Sequence, residues 1–263
     1  MKQESQWVTA GIPVLQGGEE VKRMVAVVLA GGSGRRFGAG LPKQLLKLGG
    51  RTLIEHCVAA FDAAPGVDEV LLVMPPGRTG EAATLLDGGG YRKLAGIIEG
   101  GSTRPGSTRR AVAAVGARAA EAGLSDCGVL LHDAARPLVG QRIIADCVAA
   151  LRTADAVGVA VPTADTIVVV RDGVMTRIPR RDSLLRCQTP QAFRLSVIAR
   201  AHELARADPE FTPTDDCGVV LRYLPDVPVH VVAGSEHNLK ITYPRDLAIA
   251  EALLRAGDGE LSS

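Results

Sequence analysis

Short apolar runs recur along the chain and alternate with segments of helical character. The first run, at residues 25–30, is rich in β-branched residues and too short to cross a membrane, so it predicts a buried parallel strand. Further strands are predicted at 69–74, 94–98, 128–131, 156–161 and 229–232, and helices at 52–61, 107–122, 195–207, 214–221 and 244–255. Thr52 and Glu55 have the spacing of a capping box. The alternation predicts an α/β, Rossmann-like fold with a mostly parallel sheet flanked by helices.

The pattern changes at residues 166–178, where two short β-rich runs flank Arg171, Asp172 and Gly173. Asp-Gly between such runs is a strong hairpin signal. A hairpin inserted in an α/β domain forms a projecting β-hairpin arm, here at about 163–187. Apolar residues exposed on such an arm need a partner surface, so we expect a homodimer formed through it.

Length and composition fit one large domain. The chain has 263 residues, of which 46% are hydrophobic, enough for a sizeable core. We expect a folded domain at 24–257, a disordered polar extension at 1–23 and a tail at 258–263. The net charge of +1 argues against a general binder of nucleic acids or membrane surfaces. No apolar run reaches membrane-spanning length and no targeting signal is visible, so a cytoplasmic location is expected.

Side chains that often bind metals or act as nucleophiles do not form a recognisable set. The cysteines are Cys57, Cys127, Cys147, Cys187 and Cys217. They are odd in number and far apart with no CxxC, which predicts reduced, mostly buried thiols and no zinc site. His132 has no second His or Cys at ligand spacing, so a structural imidazole is favoured. No GxSxG elbow is present, and Ser-His-Asp catalysis is therefore unsupported.

The first apolar run leads into the glycine-rich turn GGSG at 31–34, followed by Arg35, Arg36 and Lys43. Main-chain N–H groups in such a turn form a nest for an anion, and the cations beyond it indicate a polyphosphate. The turn is not a P-loop, because Lys43 lacks the following Ser or Thr. It also departs from a dinucleotide fingerprint, because two arginines stand where a small residue and a glycine are needed. The combination predicts a nucleotide site.

Polar residues also follow the third and fourth strands, whose carboxyl ends are where open parallel sheets bind ligands. The loop at 99–107 is small and polar, and its Ser107 is a plausible helix N-cap that could also contact a base or ribose. Asp133 ends the fourth strand. Its carboxylate suits a hydrated Mg²⁺ held by phosphates, or an ion pair with Arg136.

Several candidates lie in the last third of the chain. Arg180 and Arg181 follow the hairpin, and the segment at 189–191 marks a turn. Thr214 stands at a helix start, where it could be the cap, and Lys240 lies in a short predicted strand before the last helix. An ammonium is a compact charge suited to a single phosphate oxygen. Lys43 or Lys240 taken alone could equally be an ordinary surface charge.

The motifs LAGGSGRRFG, LPKQ, GGSTRPGS, HDAARP, DTI, QTPQ, TDD and NLKIT occur in this order over about 25–254. Together they resemble the 2-C-methyl-D-erythritol 4-phosphate cytidylyltransferases of the non-mevalonate isoprenoid pathway. The resemblance implies an enzyme that transfers CMP from CTP to 2-C-methyl-D-erythritol 4-phosphate, releasing pyrophosphate and forming 4-diphosphocytidyl-2-C-methyl-D-erythritol. Ribitol-5-phosphate and related polyol-phosphate cytidylyltransferases share the first motif and the fold, and remain the alternative. A non-catalytic nucleotide-binding module would need fewer cations.

The resemblance also implies residue roles. Arg36 and Lys43 would stabilise the transition state, and Arg181 and Lys240 would hold the substrate phosphate. The CTP contacts implied are Ala30, Gly31, Gly32, Gly34, Gly101, Ser102, Ser107, Asp133 and Ala134. The substrate contacts implied are Arg136, Thr166, Arg181, Thr189, Thr214 and Lys240.

Mg²⁺ or another divalent cation would be held mainly by the CTP phosphates, with Asp133 as the protein contact. No general base is needed, because the attacking phosphate is already ionised. Ser102 stands where the family commonly has an acidic residue. Either Arg180 or Arg181 could face the substrate, and the position of the hairpin end favours Arg181.

Overall fold

A computed structural model describes residues 21–31, 43–208, 210–211 and 213–260. The strands are β1 (Met24–Leu29), β2 (Lys47–Leu48), β3 (Arg51–Thr52), β4 (Glu69–Met74), β5 (Leu94–Glu99), β6 (Gly128–Asp133), β7 (Ala156–Pro162), β8 (Val169–Arg171), β9 (Val174–Arg177), β10 (Leu185–Arg194) and β11 (Val229–Ala233). The helices are α1 (Leu53–Asp62), α2 (Thr79–Leu86), α3 (Arg104–Glu121), α4 (Gln141–Leu151), α5 (Leu195–Arg206), α6 (Asp216–Tyr223) and α7 (Pro244–Glu260).

A seven-stranded sheet in the order β11-β7-β10-β6-β1-β4-β5 forms the centre of the molecule. All neighbouring pairs are parallel except those of β10, which runs antiparallel to both β6 and β7. This confirms the mostly parallel sheet. Leu29 pairs with both Val73 and Asp133, so the carboxyl ends of β1, β4 and β6 lie side by side at one edge.

Strand β1 is buried on both faces, which explains its unbroken apolar sequence. Ala26 and Val28 face a core that includes side chains of α1 and α4. Val25 and Val27 face a second core that includes side chains of α3, α5 and α6. Helices on both faces of the sheet therefore exclude water from the strand that leads into the glycine-rich turn.

The capping box at the start of α1 is confirmed. The Thr52 N–H donates to Glu55 Oε2 at 2.7 Å, and the Glu55 N–H donates to Thr52 Oγ1 at 3.4 Å. The two bonds satisfy donors that the first turn of a helix leaves unpaired.

Two predicted caps are wrong. Helix α3 begins at Arg104, and Thr103 caps it by accepting from the N–H of Gly106 at 3.1 Å, so Ser107 lies inside the helix. Helix α6 is capped by Asp215, not by Thr214. Thr103 lies four residues before Ser107, and Asp215 lies next to Thr214. All four side chains can cap a helix, and the local sequence does not show which of them does.

The hairpin at β8 and β9 is confirmed. Asp172 and Gly173, with φ of 50° and 78°, form its turn in the left-handed conformation that Asp-Gly favours. The arm carries exposed apolar side chains, with Val174 at 63% and Met175 at 57% exposure.

The segment at 189–191, predicted as a turn, lies inside β10. The Thr189–Pro190 peptide is cis, and the pairing of β10 with β7 shifts between Gln188 and Gln191. A proline inside a strand is tolerated at such an irregularity, because the missing N–H then breaks no ladder bond. Because of Pro190, the sequence pattern did not predict the central strand β10.

The predicted extension at 1–23 lies outside the described residues except for its last three. Of these, Val21 is buried and Arg23 forms an ion pair with Glu69. At the other end, α7 continues to Glu260, into the segment predicted as a tail. Within the described part of the chain, no helix is both long and apolar enough to span a bilayer.

Candidate functional site

The loops after β1 and β5 meet over the side chain of Ser107. A Cβ added to Gly31 would lie 2.8 Å from Ser107 Oγ, and one added to Gly100 would lie 2.6 Å from it, so both positions need glycine. The Ser107 hydroxyl donates to the Thr103 carbonyl at 3.1 Å and accepts from the Gly101 N–H at 3.2 Å. Ser107 is buried, and its side chain packs beneath both loops and stabilises them.

Other predicted CTP contacts follow the ends of β1, β5 and β6. Ala30 is buried and donates its N–H to the Val73 carbonyl at 2.8 Å, while the Ala134 N–H donates to the Leu29 carbonyl at 3.0 Å. Ser102 is exposed. The predicted residues Gly32, Gly34 and Arg36 lie outside the described residues.

Gly101 and Ser102 line an open cavity of about 380 Å³. Its other lining residues include the side chains of Arg109, Arg110 and Arg206. The wall of this cavity away from the loop is thus basic, which favours anionic groups.

Asp133, the last residue of β6, lies between two cations. Lys240 Nζ donates to its Oδ2 at 2.7 Å, and Arg104 Nε donates to its Oδ1 at 3.3 Å. Burial alone would raise the pKa of Asp133, but the charges of Arg104 and Lys240 outweigh it and hold that pKa well below its ordinary value. The carboxylate is therefore ionised throughout the physiological range.

Arg104 is a site residue that the sequence reasoning missed. Its Nη1 also contacts Asp216 Oδ2 at 2.9 Å, and Asp216 Oδ1 in turn contacts His202 Nε2 at 3.0 Å. Burial lowers the pKa of Arg104, but Asp216 and Asp133 raise it above its ordinary value. Arg104 thus joins the start of α3 to the end of β6 and the start of α6.

Lys43 contacts the segment at 238–242, which carries Lys240. Lys43 Nζ donates to the carbonyl of Ile241, next to Lys240, and the Ile241 N–H donates to the Ala135 carbonyl at 2.8 Å. The prediction of a strand here is wrong, because residues 238–242 have no regular secondary structure. The segment is fixed instead by Asn238, whose Nδ2 donates to the Thr189 carbonyl at 2.8 Å.

His132 has the structural role that the sequence favoured. The Asp133 N–H donates to Thr189 Oγ1 at 3.1 Å, and Thr189 Oγ1 lies 3.1 Å from His132 Nδ1. Nε2 lies 3.0 Å from the Arg136 carbonyl, which can only accept, so Nε2 carries the proton and Nδ1 accepts from Thr189. Burial lowers the pKa of His132 to about 4, and the imidazole is neutral.

Arg136 does not pair with Asp133, which corrects that alternative. Its guanidinium donates to the carbonyls of Asn238 at 2.7 Å and Cys187 at 3.4 Å. Arg136 is buried and stabilises the backbone around the site. Thr189 is also buried, and the contacts that the structure shows for both residues are with other parts of the protein.

The remaining predicted substrate residues are Thr166, Arg181 and Thr214. Arg181 Nη2 donates to Thr166 Oγ1 at 2.9 Å at the base of the arm, whereas Arg180 pairs with Asp182. Of the two arginines, Arg181 is therefore the one that contacts a second predicted substrate residue. Among the contacts of the described residues, none joins this pair to Asp133 or Lys240. Thr214 is exposed.

Few side chains among the described residues are arranged to bind a divalent cation. The described residues contain no group of three or more His, Cys, Asp or Glu side chains that could hold a metal ion. Asp133 is the predicted ligand, and each of its oxygens already accepts from a cation. The chain fits a metal held mainly by substrate phosphates, with Asp133 as a single protein ligand.

Comparisons with known proteins agree on one family. The sequence profile of 2-C-methyl-D-erythritol 4-phosphate cytidylyltransferase matches residues 24–256. The protein of that name from Thermobifida fusca is 52% identical over 240 residues, covering 89% of this chain and 94% of its own. The crystal structure of 4-diphosphocytidyl-2C-methyl-D-erythritol synthase from Anaerococcus prevotii superposes with a TM-score of 0.77 at 29% identity, covering 89% of this chain and 96% of its own.

A relative with a different name bears on the alternative substrate. The bifunctional ribulose 5-phosphate reductase/CDP-ribitol pyrophosphorylase Bcs1 of Haemophilus influenzae is 36% identical over 234 residues. The match covers 88% of this chain but 48% of that protein. The higher identity of the Thermobifida protein favours the first family.

Proposed function

The chain belongs to the 2-C-methyl-D-erythritol 4-phosphate cytidylyltransferase family, and on that premise we propose that it transfers CMP from CTP to 2-C-methyl-D-erythritol 4-phosphate. The products are pyrophosphate and 4-diphosphocytidyl-2-C-methyl-D-erythritol. The observation that carries the proposal is the contact between Lys240 and Asp133 at the carboxyl edge of the sheet, beside the Ile241 carbonyl that accepts from Lys43, in a chain that matches the family over 24–256.

The reaction needs cations more than it needs a base. A phosphate oxygen of the polyol phosphate attacks the α-phosphorus of CTP in line, and pyrophosphate leaves. Negative charge builds up on the α-phosphate, where Lys43 and Arg36 would stabilise it. Lys240 and Arg181 would hold the attacking phosphate. Asp133 holds Lys240 in place before the substrate arrives, as their 2.7 Å contact indicates.

A divalent cation such as Mg²⁺ forms part of the proposal. Bound to the CTP phosphates, it would neutralise their charge and help to align them for displacement. Asp133 is the residue that would contact it, and the ionised state of its carboxylate suits that role.

We further propose that two copies of the chain associate through the arm of β8 and β9. Val170, Val174 and Met175 are each more than half exposed there. A two-stranded hairpin is marginally stable alone, and burying these side chains against a second copy would stabilise it. A cytoplasmic location is consistent with the five free cysteines.

A coupled assay of pyrophosphate release tests the function. With CTP and Mg²⁺, we expect kcat/KM for 2-C-methyl-D-erythritol 4-phosphate to exceed that for ribitol 5-phosphate by on the order of tenfold or more, because the two polyols differ by groups that a shaped pocket distinguishes. A preference for ribitol 5-phosphate would transfer the chain to the alternative substrate. Calorimetric binding of CTP without turnover of either polyol phosphate would favour a non-catalytic module.

A further inference from the structure

Cys187 of β10 and Cys217 of α6 approach each other on one face of the sheet. Cys187 pairs with Ala160 of β7, and Gly158, two residues along β7, faces the same side. The sulfur of Cys217 occupies the space beside Gly158, where an added Cβ would lie 3.1 Å from it. The two cysteines therefore lie on the same side of the strand pair, and a hydrogen bond joins their side chains.

One amide side chain contacts both cysteines. Gln191 Nε2 donates to Cys187 Sγ at 3.1 Å, and Gln191 Oε1 accepts from the Cys217 N–H at 3.0 Å. The same Oε1 accepts from the Asp216 N–H at 3.0 Å, and Nε2 also donates to Asp215. Gln191 thus fixes the first turn of α6, which carries Cys217, against the part of β10 that carries Cys187.

The two thiols differ in exposure and acidity. Cys187 is exposed, whereas Cys217 is buried. A hydrogen bond with Cys217 lowers the pKa of Cys187, an effect that burial and Asp215 only partly oppose. The same hydrogen bond, together with burial, raises the pKa of Cys217 well above its ordinary value. Burial also raises the pKa of Cys57, Cys127 and Cys147, so Cys187 is the cysteine that combines an exposed position with a lowered pKa.

We propose that Cys187 and Cys217 form a peroxide-sensitive modification site, in which Cys187 reacts first and Cys217 completes an intrachain disulfide. The Cys187 thiolate attacks one oxygen of hydrogen peroxide; an S–O bond forms, the O–O bond breaks, and hydroxide leaves and becomes water on taking up a proton. The sulfur of Cys217 then attacks the Cys187 sulfenic acid; the S–S bond forms, the S–O bond breaks, and a second water leaves with the Cys217 proton. Two thiols are oxidised by two electrons and one peroxide is reduced to two waters.

The disulfide would act on the neighbouring site through β10. The Cys187 carbonyl accepts from Arg136 Nη2 at 3.4 Å, and Thr189, two residues further, accepts from the Asp133 N–H. A bond from Cys187 to α6 would pull on this stretch just before its irregular pairing. We therefore expect oxidation to slow CMP transfer reversibly, a consequence that rests on the proposed function.

The test treats the full chain with hydrogen peroxide, blocks free thiols and identifies crosslinked peptides by mass spectrometry. We expect a mass loss of two hydrogen atoms per chain, a Cys187–Cys217 peptide, and full reversal by dithiothreitol. Cys187 should lose its free thiol at least about tenfold faster than Cys147, whose pKa burial raises. This readout needs no substrate, so its result is independent of whether the proposed function holds.

Single variants separate the two roles. Cys217→Ala should stop at the sulfenic acid, which dimedone traps on Cys187, and Cys187→Ser, an exposed change, should form no crosslink. Cys127→Ala, at a buried cysteine outside the pair, should crosslink as the wild type does. The proposal is overturned if peroxide leaves both thiols free, if the disulfide joins two chains, or if dimedone labels another cysteine instead.

Discussion

Lys240 Nζ donates a hydrogen bond to Asp133 Oδ2 over 2.7 Å, although the two residues are 107 positions apart. The bond links the segment at 238–242 to the end of β6. The Lys240 side chain remains half-exposed, at 47%, at the edge where an anionic substrate would arrive. The substrate phosphate would share this cation with Asp133 rather than recruit it from solvent.

Replacing Lys240 should therefore weaken the binding of the polyol phosphate. For Lys240→Ala we expect kcat/KM for that substrate to fall by about 10- to 100-fold, mostly through KM, since a hydrogen bond to a charged group is worth about 1.5–3 kcal/mol. Lys43→Ala should instead lower kcat by about 10²–10³-fold, because its charge is needed most in the transition state. Steady-state kinetics with each substrate varied in turn measure both effects.

The exposed Lys47 of β2 is the matched control, and Lys47→Ala should leave kcat and KM unchanged. Equal losses of kcat and KM in the two variants would contradict the separate roles given to Lys43 and Lys240.

Arg104 should contribute to stability as well as to the site, because it is the cation that Asp133 and the buried Asp216 share. Removing one partner of a buried ion pair leaves an uncompensated charge, so Arg104→Gln should lower the free energy of unfolding by about 3 kcal/mol. Urea denaturation measures this change. The double variant Arg104→Gln/Asp216→Asn should recover part of the loss, and strict additivity of the two single changes would show that the residues are not coupled.

The lowered pKa of His132 makes the free energy of unfolding depend on pH. The pKa of His132 is about 4 in the folded chain, whereas an imidazole that is not buried has a pKa of 6.5. Between these pH values His132 is therefore protonated in the unfolded chain and neutral in the folded chain. The contribution of His132 to the free energy of unfolding is therefore fully present above about pH 6.5 and is lost as pH drops towards about 4, by about 3 kcal/mol in all. Asp133 does not contribute in this window, because its ordinary pKa of 3.8 is lowered further.

Urea unfolding at a series of pH values measures this slope. His132→Gln should lower stability at neutral pH but flatten the slope between about pH 4 and 6.5. A slope that persists in this variant would assign the titration to another group.

If two copies of the chain associate through the arm, a charge placed on the arm should separate them. Val174→Asp should convert the proposed dimer to a monomer at micromolar concentration, because a charge would replace a side chain that is 63% exposed in the single chain and that the proposed association would bury. Sedimentation velocity measures the change. Val231→Asp makes the same substitution on the edge strand β11, at 42% exposure, and should leave the dimer intact. Dissociation by both variants, or by neither, would contradict association through the arm.

Local patterns predicted the elements whose determinants lie within a few residues. The apolar run of β1, the Asp172–Gly173 turn and the Thr52–Glu55 capping box each hold their information within one element, and the structure has all three. Strand β10 was missed because Pro190 lies inside it, and a cis peptide with a shifted register is not visible in a pattern of apolar residues.

The sequence predicted several residues of the candidate site, but it did not predict which of them contact each other. The sequence singled out Asp133 and Lys240 separately, and only the folded sheet brings them into contact. Arg104 was missed because its partners, Asp133 and Asp216, lie far along the chain on other elements. Ser107 was singled out for a cap or a ligand contact, and its buried role follows from two glycines that pack on it.

The most direct test follows the oxygen atoms of the reaction. The wild-type chain is incubated with CTP and 2-C-methyl-D-erythritol 4-phosphate that carries a heavy oxygen isotope in its phosphate, and both products are analysed by mass spectrometry. Attack by that phosphate on the α-phosphorus predicts that all of the label remains in the CDP-alcohol and that the pyrophosphate is unlabelled. Label in the pyrophosphate, or no CDP-alcohol from this substrate, would contradict the account.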